Sequence, residues 1–563
     1  MKPPNLPRFH GCRVRLRATN PQLTKCTRGI RSRVGPPLYR CLEDGSEIHI
    51  ADDDLYAYQR YRWLSGEFKQ LAARYRPFNL DNLLHVASQV TSHGETDCLQ
   101  VVKCVEGQFN KAFILTMSNG DELVARLPNP NAGPAFYTTA SEVATRHFIR
   151  EVLGVPVPKI YTWSADGSNP VGSEYIIEEK AAGQPLGNIW SQMSVASQLG
   201  IIDQIVDMEK KLISVSFPIH GCLYYTSDLK SENPGVGGLD TMLDNALMSK
   251  MGHDGQLSQF TIGPSNDRKL WQNERHSMKL DKGPWTNPVD FATALGKNEL
   301  SWAESHAEPR LNPYRSTDQP DSPEEYKSLL RRYLKVAPYL IPKELILGHR
   351  NTLSHPDLHL DNIFIDPQTH QITHITDWQL AAITPMCLQH PHPQILDLSY
   401  SPRTDEQKDR EEELLNYYYK RSERAKFAQP DALSDPHLSI RLKPITLVSG
   451  CWEREDTFSF REALIKLVAY WDQIYPDHTR CPIDFTEEEL AAHQCERDLV
   501  EGVSTIVQQL EEEGLIPIGG MIRPEEYEHA RMVSSFFKKE FVDLAENDQQ
   551  REIHAKVWPY SVE

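Results

Sequence analysis

Between residues 99 and 127 apolar and polar positions alternate with a period of about two, the pattern of half-buried strands. The segments "LQVVKCV" (99–105), "AFILTM" (112–117) and "LVARL" (123–127) predict three short strands. The turn "EGQFNK" (106–111) joins the first two, and the Asn-Gly signal in "SNGDE" (118–122) joins the next pair, so the strands run antiparallel. "PKIYTW" and "SEYIIEEK", separated by the turn-rich "SADGSNP", add two more. Between them "TTASEVATRHFIREVLG" (138–154) predicts a helix, with Thr139 and Glu142 spaced as a capping box and Gly154 as its stop. The stretch 51–79 is rich in aromatic residues and is expected to be partly helical, wrapping the domain that follows.

After "AAGQPLG" (181–187) the period lengthens. Leu199, Ile202, Ile205, Val206, Leu212 and Ile213 recur at helical spacing within 196–215 and predict a core face. Further helices are expected at 323–337, 405–426, 460–474, 486–513 and 524–548; Thr486, Glu489 and Gly514 bracket one of them. The Gly-, Ser-, Asn- and Asp-rich stretch 226–258 reads as a surface excursion. The pattern therefore predicts an α+β chain: a small antiparallel sheet with one main helix, then a larger, mainly helical lobe.

The densest chemistry lies in "SHPDLHLDNIFIDPQTHQITHITDWQ" (354–379). Residues 363–365 and "ITHIT" (372–376) predict a β-hairpin that returns Asp377 to the side of Asn362. Two chemistries compete for this stretch. His355 and His359 have the i, i+4 spacing of a helical zinc pair, but Pro356 and the approaching strand work against a continuing helix, and no third ligand is evident. Phosphoryl transfer uses more of the residues: Asp357 to orient a hydroxyl and accept its proton, and Asn362 and Asp377 to share Mg²⁺ that bridges the phosphates of ATP. His355 would then brace the loop.

Upstream residues fit the same scheme. Arg126, a charge within the third strand, and Glu142, on the helix that follows, stand where a phosphate-binding cation and its helix partner would; a surface strand charge is the alternative. Gly107, Asn110 and Lys111 lie in the turn that would cover the phosphates. "YIIEEKAAG" (175–183), with Glu178, Glu179 and Lys180, lies at the junction from sheet to helices, where backbone would meet adenine.

Length and charge narrow the picture. With 563 residues the chain has room for several lobes, and its net charge of -18 opposes nonspecific nucleic-acid binding. No apolar run has the length of a transmembrane segment, and the ten cysteines include no C-x-x-C pair. Residues 1–42 carry ten Lys or Arg and no acid, the composition of a mitochondrial transit peptide, although Pro3, Pro4 and Pro7 obstruct an amphipathic helix; a basic tail is the alternative.

These residues resemble the aminoglycoside phosphotransferase/choline kinase superfamily, whose catalytic loop runs His-x-Asp-Leu-His-x-x-Asn before Asp-Trp or Asp-Phe. Within it the chain is similar to the fungal "altered inheritance of mitochondria protein nine" family over about residues 52–560, through "RWLSGEF", "EGQFNKAF", "SEVATRHFIRE", "NPVGSEYIIEEKAAG", "GPWTNP" and "LSHPDLHLDNIF" with "ITDWQ". The resemblance implies a bilobal protein-kinase-like fold, residence in the mitochondrion, Asp357 as catalytic base, Asn362 and Asp377 as Mg²⁺ ligands, and Arg126 as a phosphate ligand steadied by Glu142. On these terms the chain divides into a basic leader (1–42), an extension packing on the kinase-like domain (43–98), an N-lobe (99–180) and a helical C-lobe (181–560) that holds the catalytic loop (354–379) and an insertion (226–290).

Two departures stand out. Gln108 replaces the second glycine of the family loop, and Arg126 stands where many kinases use lysine. The expected function is ATP- and Mg²⁺-dependent phosphorylation of a small-molecule hydroxyl; the alternative is a catalytically weak kinase-like protein that binds nucleotide or a partner in mitochondrial maintenance. Trp271, Trp285 and several basic residues of 261–285 are candidates to contact an acceptor; the alternative is that the aromatics anchor the insertion on the helical lobe.

Overall fold

The computed structural model describes residues 35–91, 96–230, 237–243, 257–343, 345, 350–398, 404–422, 437–477 and 479–560. The basic stretch 1–34, and with it most of the expected leader, lies outside the described residues.

Seven strands form one sheet: β1 (Leu38–Cys41), β2 (Glu47–His49), β3 (Cys98–Lys103), β4 (Asn110–Met117), β5 (Glu122–Pro128), β6 (Ile160–Ser164) and β7 (Tyr175–Glu179), in the order β2-β1-β3-β4-β5-β7-β6. All pairs are antiparallel except β1 with β3. Residues 38–41, expected in the leader, are thus part of the sheet. The alternation there is too short to read as a strand until β3 supplies the partner.

Strand parity sorts the sheet into two faces. Phe113, Leu115 and Met117 of β4 and Leu123, Ala125 and Leu127 of β5 point one way and pack with Leu38, Ile50, Leu55, Phe78, Leu80 and Leu83. The extension therefore roofs this face. Its helix α1 (Leu80–Gln89) starts where the Asn79 side chain accepts the Asn82 N–H, and it buries Leu80, Leu83 and Ala87. Each such leucine contributes about 1.5–3 kcal/mol by leaving water.

Lys103 and Lys111 share this covered face, fully buried, on either side of Glu106, whose carboxylate lies 3.0 Å from each ammonium. Lys103 also donates to the carbonyls of Asp54 and Ala57, both at 2.7 Å. Lys111, grouped by sequence with the phosphate-covering turn, is therefore turned away from the opposite face. Its strand position, one residue out of phase with Asn110 and Ala112, dictates this.

On that opposite face lies helix α2 (Tyr137–His147), which ends in a π-helical turn (Phe148–Val152) before Gly154 at φ +62°. The expected capping box does not form. Thr139 and Glu142 are buried inside the helix, where Thr139 donates to Glu174 at 2.5 Å and Glu142 pairs with Arg126. Tertiary partners outcompete the local cap.

The helical lobe contains α3 (Val195–Ile213), α4 (Pro288–His306), α5 (Pro323–Leu340), α6 (Asp405–Arg421), α7 (Leu438–Leu447), α8 (Thr457–Ala469), α9 (Glu487–Glu512), α10 (Tyr527–Asp543) and α11 (Asp548–Val557). Thr486 and Glu489 do form a capping box at α9. Helix α4 was not expected, although Asn287, whose side chain accepts from Val289 and Asp290, and Pro288 at the first turn mark its start. The expected excursion at 226–258 falls partly outside the described residues, and its described parts bury Leu239, Leu243 and Leu257 in the core around α3. Trp285 is buried against His220 and Phe291, and Trp271 packs on Tyr137, so both anchor the insertion.

Near the end of the described chain, Met521–Ile522 pairs with Arg62–Trp63, binding helical lobe to extension. The buried lysine pair makes the roof testable. Glu106→Ala leaves two ammonium groups without their carboxylate and is expected to cost about 3–5 kcal/mol, read as a lower urea midpoint, with Glu106→Gln losing less.

Candidate active site

The chain leaves the sheet at β7 and becomes a strand of the catalytic hairpin. Residues Gln184–Pro185 pair with Phe364 and Ile365 of the strand Ile363–Ile365, which pairs on its other side with Ile372–Ile375. Gly183, at φ +88°, makes this crossing possible: a Cβ there would collide with the Ile365 carbonyl. The lobe junction and the catalytic hairpin are thus one small sheet.

Beyond this hairpin the Thr376 N–H donates to the Asn362 carbonyl at 2.9 Å, and this bond sets Asp377 beside Asn362 as expected. Asp377 adopts φ +57°, a left-handed conformation that aspartate tolerates, and Trp378 next to it is fully buried. Asn362 Nδ2 donates to the Asp357 carbonyl at 2.8 Å, which fixes the amide and leaves Oδ1 without a hydrogen bond among the described residues. Asp377 Oδ1 is buried and likewise unbonded. Two hard oxygen acceptors, one from an amide and one from a carboxylate, therefore face the same site with no protein donor on them, a donor set that fits Mg²⁺. Burial raises the Asp377 pKa, and Glu142 and Asp357 add to this while Arg126 opposes it.

Asp357 is more open, its side chain 54% exposed, with His359 Nε2 3.5 Å from its Oδ2. The loop beneath is held by His355, whose Nδ1 accepts the Asp357 N–H at 3.1 Å and whose Nε2 donates to the Thr376 carbonyl at 2.9 Å. Both ring nitrogens are occupied within the protein. His355 is therefore a brace and not a zinc ligand, and burial drives its pKa down to about 4.

Arg126 reaches this site from β5. It pairs with Glu142 of α2, lies 3.2 Å from Glu178 of β7 and places Nη1 3.7 Å from Asp377 Oδ1. Burial alone would lower its pKa, but the three carboxylates raise it. Arg146, four residues after Glu142 on α2, pairs with Glu178 and completes a buried cluster of two guanidiniums and two carboxylates. Glu178, expected at the adenine hinge, is instead part of this cluster, because strand parity points its side chain to the Arg126 face and its backbone is paired on both sides. Glu179 accepts the Lys159 N–H at 2.9 Å and lies 3.9 Å from His374 of the hairpin, and Lys180 pairs with Glu122 at 2.7 Å on the surface.

The turn over the site is held at three successive residues. Gln108 accepts from Arg74 of the extension at 2.6 and 3.2 Å, which pulls the extra side chain away from the space glycine would leave open. Phe109 receives the Arg268 guanidinium on its ring face, 3.5 Å from the centroid. Asn110 donates to Gln379 at 3.0 Å, closing the turn onto the residue two beyond Asp377. Gly107 is exposed, with open space above it. Gln379 lies within the motif "ITDWQ" and Arg146 at helical spacing from Glu142; Arg268 is one of the basic residues of the insertion, and only the tertiary fold singles it out by bringing it to Phe109.

Residues 101–388 match the family described as "Phosphotransferase enzyme family". A subtelomeric hrmA-associated cluster protein of Aspergillus fumigatus is 32% identical, covering 82% of this chain and 97% of that protein. The mitochondrial altered inheritance of mitochondria protein 9 of Lachancea thermotolerans is 25% identical over 69% of this chain and 68% of its own. The GDP and kanamycin complex of APH(2")-IIIa aligns with 71% of this chain and 100% of that one at 14% identity, with a TM-score of 0.35.

The His355 brace carries a pH signature. Its folded pKa, about 4, lies below its ordinary 6.5, so between those values the unfolded chain takes up a proton that the folded chain refuses. Stability is expected to fall as pH drops through that window. In His355→Gln, which keeps a donor for the Thr376 carbonyl, denaturant titrations across the same window are expected to show a shallower acid slope.

Proposed function

The chain belongs to the phosphotransferase enzyme family, and from that premise we propose that it transfers the γ-phosphoryl group of ATP to the hydroxyl of a small molecule, in mitochondria. The observation that carries the reading is the convergence of Asp357, Asn362 and Asp377, with Asn362 Oδ1 and Asp377 Oδ1 making no hydrogen bond among the described residues and Arg126 no nearer than 3.7 Å to the latter. Asn362 Oδ1 and the Asp377 carboxylate would hold Mg²⁺, which when bound neutralises charge on the nucleotide phosphates.

The protein's own part is positioning and proton handling. Asp357, open to solvent beside His359, takes the proton of the acceptor hydroxyl as its oxygen forms a bond to the γ-phosphorus and the bond to ADP breaks. The His355 bonds hold the loop backbone in place so that the Asp357 carboxylate keeps its bearing on the acceptor. Arg126 holds Asp377 toward the sheet, and the Asn110–Gln379 bond keeps the covering turn closed over the phosphates. Gln108 does not obstruct this arrangement, because Arg74 draws it outward.

The mitochondrial part of the proposal rests on the name carried by the yeast relative and on the basic, acid-free composition of residues 1–42. One observation favours a second reading, nucleotide binding without efficient turnover: Arg126 is already matched by Glu142, Glu178 and Asp377, which limits the positive charge it lends to a phosphate.

A thermal-shift series with ATP and Mg²⁺ tests both. Wild type is expected to be stabilised, Asp377→Ala to lose the response, and Asp357→Ala to keep it while ATP hydrolysis or transfer falls by about a hundred- to ten-thousand-fold. Wild type that binds Mg·ATP with no turnover on a hydroxyl-metabolite panel would favour the second reading; no nucleotide response at all would sink both.

A further inference from the structure

The cations near the site differ in how far the protein has already used them. Arg126 faces three carboxylates, Lys103 and Lys111 are sealed on the far side of the sheet, Lys269 donates to the Thr446 carbonyl, and Lys282 lies over Trp271. Arg268 is different. Its Nε is buried without a hydrogen bond, and among the described residues its guanidinium makes neither a hydrogen bond nor an ion pair. Its one direct partner is the face of Phe109, which fixes the plane of the group and offers nothing to its donors.

The position is specific as well. Arg268 opens a single 3-10 turn, Arg268–Leu270, steadied where the Asp267 side chain accepts the Lys269 N–H at 3.0 Å. Leu270 is buried in the core of the helical lobe, so the turn is anchored and not a loose loop. Phe109, on which the guanidinium rests, sits between Gln108, tied to the extension, and Asn110, tied to Gln379 beside Asp377. Burial lowers the Arg268 pKa, and the carboxylates of Asp267, Asp377 and Asp357, in that order, oppose this without forming an ion pair with it. A half-buried guanidinium whose planar fork makes no hydrogen bond among the described residues, and which forms no ion pair with the three carboxylates that act on it, is arranged for an oxyanion brought by a ligand.

We infer that Arg268, held flat by Phe109, is a phosphate-oxyanion-binding residue of the active site, supplied by the insertion in the helical lobe. The inference rests on the phosphotransferase reading and deepens it. It accounts for the cation that Arg126, already matched by carboxylates, does not provide. It also gives the insertion a role in the reaction: oxyanion binding by Arg268 draws on the residue that orders the turn over the phosphates. The oxyanion comes either from the γ-phosphoryl group of the nucleotide or from an acid group on the acceptor.

Calorimetric titrations of the full chain with AMP-PNP·Mg and ADP·Mg separate these sources. Arg268→Ala is expected to bind AMP-PNP about tenfold or more weakly while ADP affinity holds, and Phe109→Leu to show a smaller loss in the same direction. Should Arg268→Ala fail to fold, Arg268→Lys, which keeps the charge but not the fork, carries the same comparison. If both nucleotides bind as in wild type but inorganic phosphate no longer stabilises the AMP-PNP complex, in which the γ position is already filled, the oxyanion is on the acceptor side and the inference stands. Unchanged response to AMP-PNP, ADP and phosphate overturns it. Wild type that binds neither nucleotide would instead be a failure of the phosphotransferase reading.

Discussion

A single guanidinium joins the parts of this molecule that must stay in register. Arg126 projects from the middle of the sheet and meets Glu142 on the one long helix of that lobe, Glu178 on the neighbouring strand, and Asp377 at the end of the catalytic hairpin. Four segments distant in sequence are thereby set against one another. Charges in so buried a place persist only when they are paired, and Arg146 supplies the second cation that keeps the cluster balanced. The same demand explains why Glu142 does not cap its own helix. The carboxylate is worth more to a buried guanidinium than to an N-terminal N–H that other groups can satisfy.

Around that junction the turn at 106–111 is held from three directions by three consecutive residues. Gln108 belongs to the extension through Arg74, Phe109 to the insertion through Arg268, and Asn110 to the catalytic segment through Gln379. Arg74 itself lies over Trp63, whose strand pairs with Met521–Ile522, so the roof and the end of the helical lobe share in holding the turn. A glycine at 108 would free the backbone but forfeit this tether. The Gln108 side chain is thus held by packing that the extension supplies, and three other segments of the chain meet at this turn.

The hairpin carries its own logic. Of the two histidines that dominate its sequence, His355 turns both ring nitrogens to the backbone of Asp357 and Thr376, while His359 takes the Asp361 N–H on Nδ1 and sets Nε2 beside the Asn362 and Asp357 side chains. They shape the loop so that Asn362 and Asp377 present oxygens with no competing donor. Crossing from sheet to hairpin at Gly183 makes the geometry rigid, because the strand that leaves the N-lobe is also the third strand of the catalytic hairpin.

Much of this was legible in the chain itself. Period-two alternation located five of the seven strands, the Asn-Gly turn paired two of them, and the short hairpin brought Asp377 back beside Asn362, because local turn chemistry and strand periodicity act over a few residues. What lay beyond the sequence depended on distant partners. Strand β1 exists only because β3 offers an edge; Lys111 and Asn110, adjacent in sequence, part to opposite faces once the sheet has two covers; Glu178 leaves the hinge for an ion cluster built from another strand and a helix. Arg268 is the extreme case. The sequence marks it only as one of several basic residues of the insertion, and what singles it out is a ring 159 positions earlier that the fold brings to 3.5 Å from its guanidinium. Patterns of neighbours determine elements, but the environment of a buried charge is set by which elements meet, and that was decided only in three dimensions.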